Sequence, residues 1–180
     1  RKDYLQVIVR NSHQLLSLIG DIIDISKIEA NELKVSLNDC KVSDIFSDLE
    51  ENFNQIKLMI NKEQIDLKLE IPTEHQDLVI KTDGPKLQQV ISNLLNNALK
   101  FSEKGSITFG FKLKKSVIEF YVCDQGIGIP QEKLDEIFER FKQLNYQNAA
   151  KYGGTGLGLA ISKGIIEVLG GNISVESELN

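Results

Sequence analysis

The sequence predicts an α+β protein, a two-layer α/β sandwich preceded by one long coiled-coil-like N-terminal helix. Three observations predict it. Apolar residues recur at seven-residue spacing through the first 28 positions. After Asn31, short alternating segments are interspersed with longer helical periods, the arrangement of a layered domain. The 180 residues are 41% hydrophobic and 26% charged, the proportions of a chain that buries a sizeable core.

Each element has its own signal. In residues 1 to about 28, Leu5, Ile8, Leu15, Ile19 and Ile22 step by threes and fours, with Ser12 in one seam position. Val9, Leu16 and Ile23 widen that stripe. A helix of this length spans roughly 40 Å and cannot bury the stripe against itself, so the pattern predicts a partner helix. Leu33–Leu37 reads as a short strand. Ser43 is a candidate cap for a helix carrying Ile45, Phe46, Leu49, Phe53, Ile56 and Ile60. Ile65, Leu67, Leu69 and Ile71 alternate as a half-buried strand, and Leu78–Lys81 is another. Asp83 and Pro85 open a helix with Leu87, Val90, Ile91, Leu94, Leu95 and Ala98 on its inner face. Strands are predicted over Ser106–Leu113 and Val117–Cys123, then a short helix from Pro130 to about Phe138. Residues 142–155 have no apolar period and read as a mobile loop. A helix over Leu157–Leu169 and a strand over Asn172–Glu178 complete the pattern.

Composition excludes several functions. The net charge of −5 disfavours an electrostatic grip on nucleic acid or an anionic membrane. No apolar run reaches the length of a membrane span; the longest candidate is cut by Asp21 and Asp24. Cys40 and Cys123 have no ligand-like spacing. The chain begins at Arg1 and reads as an excised piece.

Six of the thirteen glycines fall between Gly126 and Gly158, in two clusters. One is Gly126 and Gly128 after Asp124; the other is Gly153, Gly154, Gly156 and Gly158, opening onto a helix. Glycine lets backbone approach a ligand closely, and free N–H groups at a helix start attract phosphate oxygens. Between Arg140 and Lys163 there are four basic residues and no acidic one, so a local positive field lies inside an acidic chain. Neither cluster completes a P-loop or a dinucleotide fingerprint. These features predict a phosphate-bearing ligand and name no reaction.

Four segments together are more specific. Asn93–Phe101 (Asn-Leu-Leu-Asn-Asn-Ala-Leu-Lys-Phe), Asp124–Gly128, Phe138–Phe141 and Gly154–Leu159 resemble, in order, the N, G1, F and G2 boxes of the sensor histidine kinase ATP-binding domain. Asp21–Ala30 resembles the second dimerisation helix that precedes that domain, especially in hybrid kinases. The resemblance covers essentially the whole chain. It implies a Bergerat-type fold over residues 31–180, with residues 1–30 as the dimerisation helix and the last strand of the family's sheet falling beyond Asn180.

The resemblance also implies a site. Asp124 would accept the adenine amino group, as only an acceptor can. Gly126 and Gly128 would let backbone pass close to the nucleoside. Asn97 would offer its oxygen to Mg²⁺, with Asn93, Lys100 and Phe101 on the same helix lining the nucleotide. Phe138 and Phe141 would anchor the near edge of a lid over residues 142–155, hinged at Gly154, Thr155, Gly156, Leu157 and Gly158. Gln143 stands where relatives often carry an arginine, leaving Arg140, Lys142 or Lys151 as substitutes at the phosphates. Gyrase-like and chaperone-like ATPases place a glutamate general base where Asn93 stands, so slow hydrolysis is expected.

The implied activity is transfer of the ATP γ-phosphoryl group to a histidine on a helix before Arg1. His13 lacks the acceptor signature, so the resemblance places no catalytic residue within this chain, and a catalytically silent nucleotide-binding or scaffold module remains the alternative. Implied partners are ATP, Mg²⁺, a second copy through the N-terminal helix, and a response-regulator receiver domain. Nucleic acid and direct membrane contact are not expected. The implied setting is the cytoplasmic side of a membrane-anchored bacterial sensor.

Overall fold

The computed structural model describes residues 2–143 and 154–179. Helix α1 (Lys2–Glu29) is followed by β1 (Asn38–Lys41), α2 (Val42–Met59), β2 (Ile65–Glu70), β3 (Val79–Thr82), α3 (Gly84–Phe101), β4 (Gly105–Lys114), β5 (Val117–Cys123) and α4 (Gly158–Val168). Strands β2, β4 and β5 form a three-stranded sheet in the order β2-β4-β5. β2 runs parallel to β4 (Leu67 opposite Ile107), and β4 antiparallel to β5 (Phe111 opposite Phe120). β1 and β3 form a separate antiparallel pair.

One face of the sheet packs on α2 and α3, the expected two-layer sandwich. Val42, Phe46, Leu49 and Phe53 recur every three or four residues and form one stripe of α2, which is buried. They meet Ile65, Ile107, Phe109 and Phe111 from the sheet. The Phe46 ring stacks on Phe109 and Phe120, with centroids 5.9 and 5.8 Å apart. A second core forms from Ile25, Val90, Leu157, Ala160, Ile161 and Ile165. Helix α3 serves both. Leu87, Ile91, Leu95 and Ala98 face the sheet, whereas Val90 and Leu94 face α4, so the predicted inner face is divided between two cores.

The start signals of α3 hold. Asp83 Oδ1 accepts from Lys86 N at 3.1 Å, and Pro85 occupies the first turn. Asp83 Oδ2 also accepts from Ser36 N at 2.8 Å, tying the preceding linker to the helix start.

Four local expectations are corrected. Leu33–Leu37 is not a strand: β3 has only four residues and Asn38–Lys41 occupies them all, while Leu33 is drawn into the second core. Ser43 does not cap α2, which begins at Val42 with Lys41 in the cap position; the Ser43 hydroxyl turns to Asp44. The predicted helix from Pro130 to Phe138 is two separate 3-10 turns, Gln131–Lys133 and Glu136–Phe138, whose backbone bonds close three residues back, as Leu134 N to Gln131 O and Glu139 N to Glu136 O do. Asn172–Glu178 makes no ladder among the described residues. Ser177 instead takes Ile129 N on its hydroxyl at 2.9 Å and the Gln131 side chain on its carbonyl.

Helix α1 divides along its length. Leu15, Leu16, Ile19, Ile22 and Ile23 are exposed, as an unpartnered seam would be. Ile25 and Ile28 pack against α4 within the same chain.

Candidate nucleotide-binding site

Glycines of both clusters lie against α3, while Gly128 packs on Glu178 O and Gly156 on the backbone of Phe141 and Lys142. Gly126 follows β5 and lies against the C-terminal end of α3, so that a Cβ there would stand 2.7 Å from Phe101 O. Gly154 and Gly158 approach the same helix from the other side. A Cβ on Gly154 would stand 2.8 Å from Lys100 Nζ, and one on Gly158 would collide with Asn93 Oδ1. Phe101 thus lies against Gly126, Lys100 against Gly154 and Asn93 against Gly158, with Asn97 between Asn93 and Lys100 along α3.

The chemistry around this face is specific. Asp124 is exposed, and its Oδ1 accepts from Gly126 N at 2.8 Å in a local turn. Its Oδ2 has no hydrogen-bond partner among the described residues. Asn97 is half-buried and its amide likewise makes no hydrogen bond among them. Lys100 has no carboxylate within ion-pair distance among the described residues; its ammonium rests 4.7 Å from the Phe101 ring centre. Partial burial pulls its pKa below the usual lysine value, since desolvation penalises the cation. An anion beside Gly154 would reverse that penalty.

Helix α4 starts with no side-chain cap on its first turn. The nearest substitute is Thr155, whose hydroxyl accepts from Leu157 N at 3.1 Å. The N–H groups that follow point out of the helix start with the positive end of its dipole. One backbone and one side-chain donor bridge residues 141–143 to residues 154–156. Phe141 N donates to Gly156 O at 3.0 Å, and Gln143 Nε2 donates to Gly154 O at 2.6 Å.

The Phe141 side chain, expected to anchor the edge of a lid, is 70% exposed, and its φ is +58°. Of the basic residues expected near the phosphates, Arg140 pairs with Glu29, and Lys142 lies 3.3 Å from Glu136 and 3.4 Å from Glu139. Lys151 and most of the 142–155 segment lie outside the described residues. Among the described candidates, Lys100 is the cation placed at the glycines without a carboxylate.

A hollow of about 640 Å³ lies on another flank of α3, between Ile56, Ile60, Lys62, Asn96 and Leu99. It touches the motif face only through Lys100. Lys62 reaches the C-terminal carbonyls of α3 there, including Ser102 O at 2.7 Å, which marks the region as a helix end being satisfied.

Three contacts were not legible in the motifs. Asn93 Nδ2 donates to Ser162 Oγ at 2.9 Å, joining α3 to α4. Thr155 Oγ1 donates to Asp21 Oδ2 at 3.3 Å, joining the glycine loop to α1. Gln89 Nε2 donates to Asp24 Oδ2 at 2.7 Å. The one available signal was that Asp21 and Asp24 interrupt the apolar run of α1 three residues apart; Ser162 had only its polar character within an apolar stripe.

Known proteins resemble this chain in sequence and fold. Residues 82–180 match the family described as histidine kinase-, DNA gyrase B- and HSP90-like ATPases. The chain is 36% identical over 181 residues to the autoinducer 2 sensor kinase/phosphatase LuxQ of Vibrio vulnificus, covering 97% of this chain and 21% of that protein. It is 34% identical over 185 residues to the signal transduction histidine-protein kinase BarA of Escherichia coli, covering 100% of this chain and 20% of that one. The chain thus spans about a fifth of the length of these relatives. Its fold superposes on full-length ShkA, solved with AMPPNP, with a TM-score of 0.81 and 25% identity, covering 100% of this chain and 36% of that one. It also matches the catalytic domain of the histidine kinase ThkA, with a TM-score of 0.61 and 27% identity, covering 74% and 82%. The chain belongs to the histidine kinase-, DNA gyrase B- and HSP90-like ATPase family, and within it to the ATP-binding catalytic domains of histidine kinases.

Proposed function

We propose that residues 31–180 bind Mg·ATP and present its γ-phosphoryl group to a histidine outside this chain, with residues 1–30 as the second dimerisation helix. The observation that carries this reading is that Gly126, Gly154 and Gly158 lie against Phe101, Lys100 and Asn93 of α3, the helix that also bears Asn97. Asp124 Oδ2 offers an acceptor to the adenine amino group while Oδ1 holds the turn. Lys100 and the first turn of α4 offer positive charge to the phosphates, with Phe101, Gly126, Gly128, Thr155, Gly156 and Leu157 lining the approach.

The half-buried, unpartnered Asn97 amide fits a hard cation that keeps most of its ligands from phosphate and water, so Asn97 would hold Mg²⁺. That ion would supply charge neutralisation at the phosphates. The protein's own share is positioning, because Asn93 is an amide and cannot take a proton from water.

The exposed stripe from Leu15 to Ile23 supports pairing with a second copy through α1. In the whole protein the phosphoryl group would pass on to a receiver domain, on the cytoplasmic side of a membrane-anchored sensor. Among the described residues no helix is long and apolar enough to cross a membrane.

Titration with a non-hydrolysable ATP analogue, with and without Mg²⁺, tests binding. Mixing the chain with a separate acceptor-helix bundle and radiolabelled ATP tests transfer. Binding without label on the bundle would favour a silent nucleotide-binding module instead.

A further inference from the structure

Asn93 carries a question that the site motifs leave open: which end of its amide faces the nucleotide. The two ends differ chemically, since the oxygen only accepts and the nitrogen only donates. In this structure Nδ2 donates to Ser162 Oγ at 2.9 Å. Ser162 lies one helical turn beyond Gly158 on α4 and is only 1% exposed, so water does not compete for its hydroxyl. A serine within a helix has a carbonyl one turn back for its own proton, which leaves its lone pairs for a donor. On the other side of the same amide, Asn93 Oδ1 lies against Gly158, so closely that only glycine leaves it room. The amide is thus held at both ends, by a buried hydroxyl and by a missing side chain.

We propose that Ser162 is a positioning residue for the magnesium nucleotide. Its hydroxyl pins the donor end of Asn93, so that the acceptor end faces the cleft between α3 and the first turn of α4. An acceptor there suits Mg²⁺ or a water bound to it, and a reversed amide would present hydrogens to the cation instead. Ser162 also fixes the spacing between the helix that carries Asn97 and the helix start that meets the phosphates. This role rests on the Mg·ATP reading above, and it adds a residue outside all four sequence boxes.

The test compares the 180-residue chain with its Ser162→Ala, Asn93→Ala and doubly substituted variants, using a fluorescent non-hydrolysable ATP analogue with and without Mg²⁺. Thermal melts accompany each variant. Ser162→Ala is expected to weaken binding in Mg²⁺ about fivefold, the worth of one ordinary hydrogen bond, with little change when Mg²⁺ is chelated. In the Asn93→Ala background the same substitution should have no further effect, because its action passes through Asn93. Equal losses with and without Mg²⁺, or losses that add to those of Asn93→Ala, would reduce Ser162 to plain packing and overturn the proposal. Unchanged binding would do the same. If the unsubstituted chain binds no analogue at all, the Mg·ATP reading fails and takes this role with it, an outcome distinct from either.

Discussion

The Thr155 hydroxyl joins two parts of the protein that the sequence presents as separate: it caps Leu157 N at 3.1 Å and donates to Asp21 Oδ2 of α1 at 3.3 Å. The loop expected to meet phosphates is therefore tied, through one hydroxyl, to the helix expected to dimerise. Around it Asp24 holds Gln89 at 2.7 Å, and Glu29 pairs with Arg140. Three acidic residues of α1 thus meet polar or basic groups that surround the glycine loop and α3.

Partial burial raises the Asp21 pKa, with the nearby Asp24 carboxylate adding to the rise and the Thr155 hydrogen bond opposing it. Its folded value lies above the ordinary 3.8, so the docked helix binds that proton more tightly than an undocked one. The Asp21 contribution to docking is complete below 3.8 and is lost as pH rises through the raised value. Asp21→Asn keeps an acceptor for Thr155 and removes the charge. It should hold α1 on α4 more firmly at neutral pH and flatten the acid dependence. Spin-label distances between α1 and α4 from pH 3.5 to 7 measure both effects; an Asp21→Asn profile that still tracks the parent's would refute the assignment.

Ile25 is the apolar centre of the same contact, 7% exposed among Val90, Leu157, Ile161 and Ile165. Ile25→Ala leaves a cavity between α1 and α4 and should cost about 2–4 kcal/mol of docking free energy. Glu29→Gln removes only an exposed ion pair and should cost under about 1 kcal/mol, less at high salt. Hydrogen exchange in residues 22–29 separates the two. If Glu29→Gln released the helix as readily as Ile25→Ala, charge rather than burial would hold it.

Asp124→Asn isolates the ligand role of that carboxylate. An asparagine oxygen accepts from Gly126 N as well as an aspartate oxygen does, so the turn and the melting temperature should persist. What changes is the free oxygen, which becomes an amide that can present hydrogens to the adenine amino group. Losing a hydrogen bond to a charged acceptor costs about 1.5–3 kcal/mol, or roughly 10- to 150-fold in affinity. Calorimetric titration against an ATP analogue checks this, and an unchanged affinity would remove Asp124 from the site.

The sandwich was legible because its apolar stripes are dense: Phe46, Leu49 and Phe53 on α2 and the alternation of β2 leave few other solutions. The start of α3 was legible because Asp83 and Pro85 act locally. The strand expected at Leu33–Leu37 was misplaced because alternation marks extended backbone, while pairing depends on a distant partner, here β3. The site boxes were legible as residue types at fixed spacing. What they did not carry was contact between elements far apart in sequence, such as Asp21 with Thr155 or Asn93 with Ser162. Lys142 and Arg140 were plausible phosphate contacts on composition, and the fold instead gives each a carboxylate.

Asn93 also sets the expected rate of ATP loss. Hydrolysis needs a group that takes a proton from the attacking water, and an amide cannot do so at any working pH. Here the amide nitrogen is further committed, since it bonds Ser162. Among the described residues, Asp21 is engaged by Thr155, Asp24 by Gln89, and Glu136 by Lys133 and Lys142, while Asp124 is assigned to the adenine. The chain should therefore hold ATP for many times longer than a gyrase-like or chaperone-like ATPase would, releasing phosphate only slowly. A coupled phosphate-release assay with saturating Mg·ATP reads this directly. Rapid, Mg²⁺-dependent release that survives Asn93→Ala would mean that another residue serves as the base and that the kinase-like division of labour is wrong.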